Sequence, residues 1–339
     1  MEPHPLMDAR WRGLERQAGM AVAFTFPGQG SQHLGMGKAL ADSFSSARDV
    51  FLEVDAALGQ KLSHLMWDGP ETDLILTENA QPALMAVSLA VVRVLETEYG
   101  VTAMGAAACV AGHSLGEYSA LTAAGTFSIA DAARLLKLRG RAMQQATPVG
   151  TGAMAALLGL DLPAAVEVAA EAAQDQVCEP ANDNAPGQVV VSGHRAAVER
   201  AVEIAKSRGA RRAVLLPVSA PFHCALMKPA ADAMASALAG VTMKAPVPPL
   251  IANVTAAALA DPHEIRRNLV AQVTATVRWR ESVAAMAAHG VNVFCELGAG
   301  KVLSGLLRRN APDAAALAFA TPEEVRAGAA KLKEKADAV

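Results

Sequence analysis

The stretch VAGHSLGEYSAL, Val110 to Leu121, sets one serine between two glycines, Gly112 and Gly116. Small apolar residues lead into it (AAACVAG, ending at Gly112) and a helix-forming segment, LGEYSAL, follows. A G-x-S-x-G sequence between a strand and a helix is the signature of a nucleophile elbow. The turn strains the serine backbone, so its neighbours must be small, and the hydroxyl stands exposed above a sheet. The N-terminus of the following helix then faces any oxyanion that forms beside the serine. On this reading Ala106–Ala111 is a strand, Leu115–Ala124 is a helix that stops at Gly125, and Ser114 is a candidate nucleophile.

Outward from the elbow, strand-like and helix-like segments alternate. Val22–Phe26 is a short apolar run that ends in Pro-Gly, and residues 79–98 have the composition of a long, buried helix. Such alternation predicts an α/β fold with a mainly parallel central sheet. The pattern changes near Pro148. TGAMAALLGLD, LPAAVEVAAEAAQ, GQVVVSGH, RAAVERAVEIAKSRG and RRAVLLPVS read as strand, helix, strand, helix, strand, the make-up of a small ferredoxin-like subdomain set into the larger unit. The expected organisation is an N-terminal extension over 1–19, without fixed structure; an α/β-hydrolase-like domain over 20–147 and 216–320; the ferredoxin-like subdomain over 148–215; and a helical tail over 321–339. The tail opens with a capping box, Thr321 and Glu324, around Pro322.

Composition narrows the function classes. The 339 residues are 52% hydrophobic and 19% charged, enough for a sizeable core, and the net charge of −3 does not attract nucleic acid. No uncharged run combines the length and apolarity of a membrane span, and MEPHPLMDARWRGLERQAG is not a secretory signal. Cys109, Cys178, Cys224 and Cys295 are scattered without a CxxC pair, which suits buried thiols in a reducing cytoplasm rather than zinc or disulfides. GQGSQH at 28–33 and GAGKVLSG at 298–305 lack the residues of a dinucleotide or phosphate loop, so no nucleotide cofactor is expected.

A serine nucleophile needs a base, usually histidine. His223 is the best candidate: AVLLPVSAPFHCALMKP sets it after an apolar strand, in a proline-bounded loop just before a helix. No acidic residue between 114 and 223 stands at an obvious strand end, so a backbone carbonyl or an amide is the expected partner of the base, giving a Ser-His dyad. A second signal lies in DAARLLKLRGRAMQ. With Leu135 at zero on a helical wheel, Arg139 falls at about 40°, inside the apolar stripe, while Arg134, Lys137 and Arg141 face the other way. A buried guanidinium requires an anionic partner. That partner is an internal Asp or Glu, or a substrate carboxylate gripped in a wet cleft by the planar fork; periodicity does not separate the two.

Taken together these pieces resemble the malonyl-CoA:acyl-carrier-protein transacylases of fatty-acid synthesis. The resemblance runs from about Ala21 to about Arg309 on FPGQGSQ (26–32), AQPAL (80–84), GHSLGEYSAL (112–121), LRGRAMQ (138–144), PVSAPFHCALMKP (217–229), LVAQV (269–273) and ELGAGKVL (296–303). It implies a site in the cleft between the large and small domains. There Ser114 is the nucleophile and His223 the base. Backbone N–H groups of Gln29 and Leu115 form the oxyanion hole, and Arg139 binds the malonyl carboxylate. Gln272 supports His223 through its backbone carbonyl, Gln81 lines the pocket, and Phe222 leaves no room for an α-methyl group. Ala80 departs from the threonine frequent in the family. The substrates implied are malonyl-CoA and a phosphopantetheinylated acyl carrier protein, with no cofactor or metal, in a cytoplasmic monomer without nucleic-acid or membrane partners. Other readings are an esterase or thioesterase that uses water, an acyltransferase of polyketide synthesis, and a non-catalytic carrier-protein docking module. KSRGARR, Lys206 to Arg212, is a candidate basic patch for an acidic carrier protein.

Overall fold

The computed structural model describes residues 21–336. The expected N-terminal extension and the last residues of the tail lie outside them. A six-stranded sheet has the order β10-β9-β1-β2-β7-β8. Its strands are β1 (Ala21–Phe26), β2 (Cys109–Gly112), β7 (Leu250–Ile251), β8 (Ala258–Leu259), β9 (Val291–Leu297) and β10 (Ala315–Phe319). All neighbours run parallel except β8, which returns antiparallel to β7. β1 and β2 carry continuous apolar runs because helices cover both faces of a parallel sheet.

A second sheet holds β3 (Gly152–Leu158), β4 (Cys178–Ala185), β5 (Gln188–His194) and β6 (Arg212–Leu215) in the antiparallel order β4-β5-β3-β6. The helices Leu162–Ala173 and Arg195–Ser207 pack on it around a separate core that includes Leu157, Val168, Val191 and Val198. The resulting β-α-β-β-α-β sequence has one strand more than the alternation predicts. That strand, β4, reads CEPANDNA: a proline and four polar side chains conceal it, and its register shifts twice against β5. A parallel bridge from Asn182 to Val277 ties β4 to the large unit.

Two helices shape the site. Thr77–Tyr99 is long and apolar enough to cross a membrane by length and composition, but Glu78 and Arg93 bound its uncharged stretch and it is a core helix buried over most of its length. Ile129–Gln145 crosses it at Gly140, where a Cβ would come within 2.5 Å of the Glu78 Cα and the Thr77 carbonyl oxygen. Only glycine permits this approach, and it brings Arg139 against Gln81. The four cysteines are buried, and none of them is in a disulfide. The tail helix Pro322–Ala336 starts at the expected capping box, with the Glu324 N–H donating to Thr321 Oγ1 and the Thr321 N–H to Glu324 Oε2.

Candidate active site

Parallel α/β sheets gather functional groups beyond the carboxyl ends of their strands. Here β1 ends before Gln29, β2 before Ser114 and β7 before Asn253. Ser114 has φ 53°, in the left-handed region that side chains rarely enter. Both flanking glycines are sterically required. A Cβ on Gly112 would fall 1.9 Å from the Gly116 carbonyl, and one on Gly116 would fall 2.3 Å from the Phe26 carbonyl oxygen. The helix Gly116–Ala123 then begins directly behind the serine, with Leu115 at its N-cap. Asn253 grips the turn from both sides: its Oδ1 accepts the Ser114 N–H at 2.8 Å and its Nδ2 donates to the Gly112 carbonyl at 2.7 Å.

His223 also has a left-handed backbone, φ 59°, and is 4% exposed. Its Nε2 lies 2.8 Å from Ser114 Oγ and its Nδ1 lies 2.8 Å from the Gln272 carbonyl oxygen. A carbonyl only accepts, so Nδ1 carries the proton and Nε2 is left to accept the serine hydrogen. Burial first, then the positive charge of Arg139, lower the imidazole pKa to about 3. The ring is therefore neutral at physiological pH.

Arg139 is 1% exposed, so the wet cleft expected around it does not exist here. Nη1 donates to Gln81 Oε1 at 2.9 Å, and Nη2 donates to Gln272 Oε1 at 2.8 Å and to Ser114 Oγ at 3.1 Å. The Tyr118 ring lies under the guanidinium, 5.8 Å from its carbon. Two amide oxygens and a hydroxyl hold the charge; among the described residues no carboxylate is at ion-pair distance. Thus the internal Asp or Glu proposed from periodicity is not in direct contact.

The structure brings Ser114, His223, Arg139, Gln272 and Gln81 into one cluster. Phe222, 8% exposed, directly precedes the histidine. Gln29 is exposed, with its side chain 3.3 Å from Thr77 Oγ1, on a loop pressed so closely to the elbow that a Cβ on Gly28 would lie 2.7 Å from the His113 carbonyl oxygen. Among the described residues the Gln29 and Leu115 N–H groups have no hydrogen-bond acceptor. No group of three or more His, Cys, Asp or Glu among the described residues is arranged to hold a metal ion.

Two residues of the cluster escaped the sequence reading. Glu117, 1% exposed, accepts the Asn253 N–H at 2.6 Å on Oε1 and a Gln272 Nε2 hydrogen on Oε2. Burial raises its pKa, against the pull of those two donors and of the Arg139 charge. A lone acidic residue in the apolar segment GEYSAL was the available signal. Asn253 carried none, because β7 before it is two residues long.

Residues 23–321 match the family model described as an acyl transferase domain. The malonyl CoA-acyl carrier protein transacylase of Escherichia coli is 48% identical over 305 residues, covering 90% of this chain and 97% of the relative. The crystal structure of an acyl-carrier-protein S-malonyltransferase from Bartonella henselae superposes with a TM-score of 0.91 at 56% identity, covering 93% of this chain and 100% of the other. A malonyl-transacylase solved in complex with its type II polyketide-synthase acyl-carrier protein superposes with a TM-score of 0.89 at 43% identity, over 92% and 99% of the two chains. With the match spanning both sheets and the elbow, the chain belongs to the acyl transferase domain family and, within it, to the malonyl CoA-acyl carrier protein transacylases.

Proposed function

We propose that this acyltransferase moves a malonyl group from malonyl-CoA to the phosphopantetheine thiol of an acyl carrier protein, through an ester on Ser114. The observation that carries the reading is the double engagement of Ser114 Oγ, by the neutral His223 Nε2 on one side and by Arg139 Nη2 on the other. His223 takes the serine proton as Oγ attacks the thioester carbon. The Gln29 and Leu115 amides, left without acceptors, receive the charge that develops on the carbonyl oxygen. Coenzyme A leaves with the proton held by His223. The carrier thiol then attacks the ester, giving its own proton to His223, and Ser114 recovers a proton from the imidazolium. Arg139 pairs with the distal carboxylate of the malonyl group, exchanging an amide contact for a charge-assisted one. The reading has the protein act in the cytoplasm, as a monomer and without cofactor or metal.

Carrier-protein docking on KSRGARR would rest on few residues. Lys206 is paired with Glu203, and Arg208 with Glu167 and Glu171, which leaves Arg211 and Arg212 exposed at the start of β6.

The test of the carboxylate assignment is the ratio of malonyl to acetyl transfer in Arg139→Ala. Loss of a charge-assisted contact should lower malonyl transfer by at least about 10-fold and leave acetyl transfer unchanged or raised. An unchanged ratio with a reduced melting temperature would make Arg139 a structural residue.

A pH prediction follows from His223. Its folded pKa, about 3, lies below the ordinary value of about 6.5, so the neutral base persists through that pH. The single-turnover acylation rate should stay level as pH falls from 7.5 through 6.5, and an inflection at 6.5 would contradict this. The unfolded chain binds this proton first, so the contribution of His223 to stability is complete above about 6.5 and is lost as pH falls toward 3.

A further inference from the structure

Gln272 is fully buried, and its side-chain amide has one accepting end and one donating end. The accepting end faces Arg139, which can only donate. The donating end faces three acceptors: the Ser114 carbonyl at 2.9 Å, Asn253 Oδ1 at 3.3 Å and Glu117 Oε2. If the amide turned over, its NH2 would confront the guanidinium and its oxygen would confront those three oxygens. The other carboxyl oxygen of Glu117 holds the backbone N–H of Asn253, the residue that grips the elbow on both sides of the nucleophile. Both oxygens of Glu117 therefore accept, which favours the carboxylate form against the burial that pushes its pKa up to about 8. Arg139 and Glu117 are joined through the Gln272 amide rather than by direct contact. Burying two ionisable groups without a direct pair is costly, and hydrophobic residues would fill a core more cheaply.

We propose that Glu117 is a positioning residue for acyl selection: it fixes the orientation of the Gln272 amide, which in turn aims Arg139 at the acyl group on Ser114. The inference rests on the reading of Arg139 as the carboxylate-binding residue and adds a determinant one shell behind it. Glu117→Gln is the informative change because it preserves shape and replaces one acceptor by a donor. The backbone N–H of Asn253 cannot turn, so the new side chain must give it the oxygen. Its NH2 then opposes the NH2 of Gln272. Turning the Gln272 amide relieves that conflict and places two donors in front of Arg139.

The experiment measures malonyl and acetyl transfer by wild type, Glu117→Gln, Gln272→Ala, the double variant and Arg139→Ala, with melting temperatures and active-site titration. Glu117→Gln should raise the KM for malonyl-CoA and lower the malonyl:acetyl ratio about 10-fold, the scale of one lost buried polar contact. Acetyl turnover per titrated site should fall by a smaller factor than malonyl turnover, because the acetyl group has no carboxylate for Arg139 to meet. In the Gln272→Ala background the same substitution should leave the ratio where Gln272→Ala has put it, because the path through the amide is gone. Equal losses for both substrates with unchanged KM would mark Glu117 as merely structural and overturn the proposal. A shifted ratio in Arg139→Ala with an unchanged ratio in Glu117→Gln would overturn it while the carboxylate assignment stands. An unchanged ratio in Arg139→Ala would overturn both. Glu117→Asp, which keeps both acceptors but draws them back by one methylene, is the second variant should Glu117→Gln not fold. It should lower the ratio by a smaller factor, and a wild-type ratio in a folded Glu117→Asp would count against the proposal.

Discussion

Ser114→Ala should abolish the malonyl-enzyme and reduce transfer to the carrier thiol by at least about 10⁴-fold, because removing the nucleophile removes the covalent route altogether. The fold should survive the change. The φ of 53° at this position costs an alanine about what it costs serine, and the Asn253 clasp binds the backbone N–H, which alanine retains. Two side-chain contacts are lost, to His223 Nε2 and Arg139 Nη2. Arg139 keeps its two amide oxygens and His223 keeps the Gln272 carbonyl, so no buried charge is stranded. Circular dichroism and melting should therefore match wild type within a few degrees, about 1 kcal/mol of stability. An adduct that persisted on another residue would refute the assignment.

His223→Ala should slow acylation by about 10² to 10⁴-fold, the usual worth of a positioned general base. The dyad has no acid behind it: the Gln272 carbonyl fixes the tautomer but cannot take up the charge of an imidazolium. The nearby Arg139 disfavours that charge further. In the proposed mechanism the base works by position rather than basicity, so an added small imidazole should recover only part of the loss. Rates near wild type in His223→Ala would require another base. The other histidine by the elbow, His113, is held by Asn184 at 2.8 Å and has its pKa lowered by burial.

Much of this was legible in sequence because it is local. The two glycines around Ser114 report a close backbone approach, and the misplaced charge of Arg139 stands out against the apolar stripe of its own helix. The loop of His223 was readable from the apolar strand before it. What escaped depends on pairing at a distance. β4 is polar yet lies in a sheet, because β5 and Val277 hold it by backbone hydrogen bonds that ignore side-chain type. β7 is two residues long, so nothing periodic marks it, yet it delivers Asn253 to the elbow from 139 residues away. Glu117 sits in the quoted signature itself, but its partners Asn253 and Gln272 lie 136 and 155 residues along the chain. The same holds for Arg139: periodicity showed that it is buried, but not that two glutamine oxygens would hold it.

In the proposed mechanism the acyl group rests on Ser114 and leaves to a thiol rather than to water. Intact-mass spectrometry of the protein mixed with malonyl-CoA, followed by addition of phosphopantetheinylated carrier protein, tests it most directly. One malonyl group per chain is expected, mapped to Ser114, stable in buffer and discharged on addition of the carrier protein. Continuous release of free malonate without an accumulating adduct, or an adduct that the carrier thiol does not discharge, would contradict it.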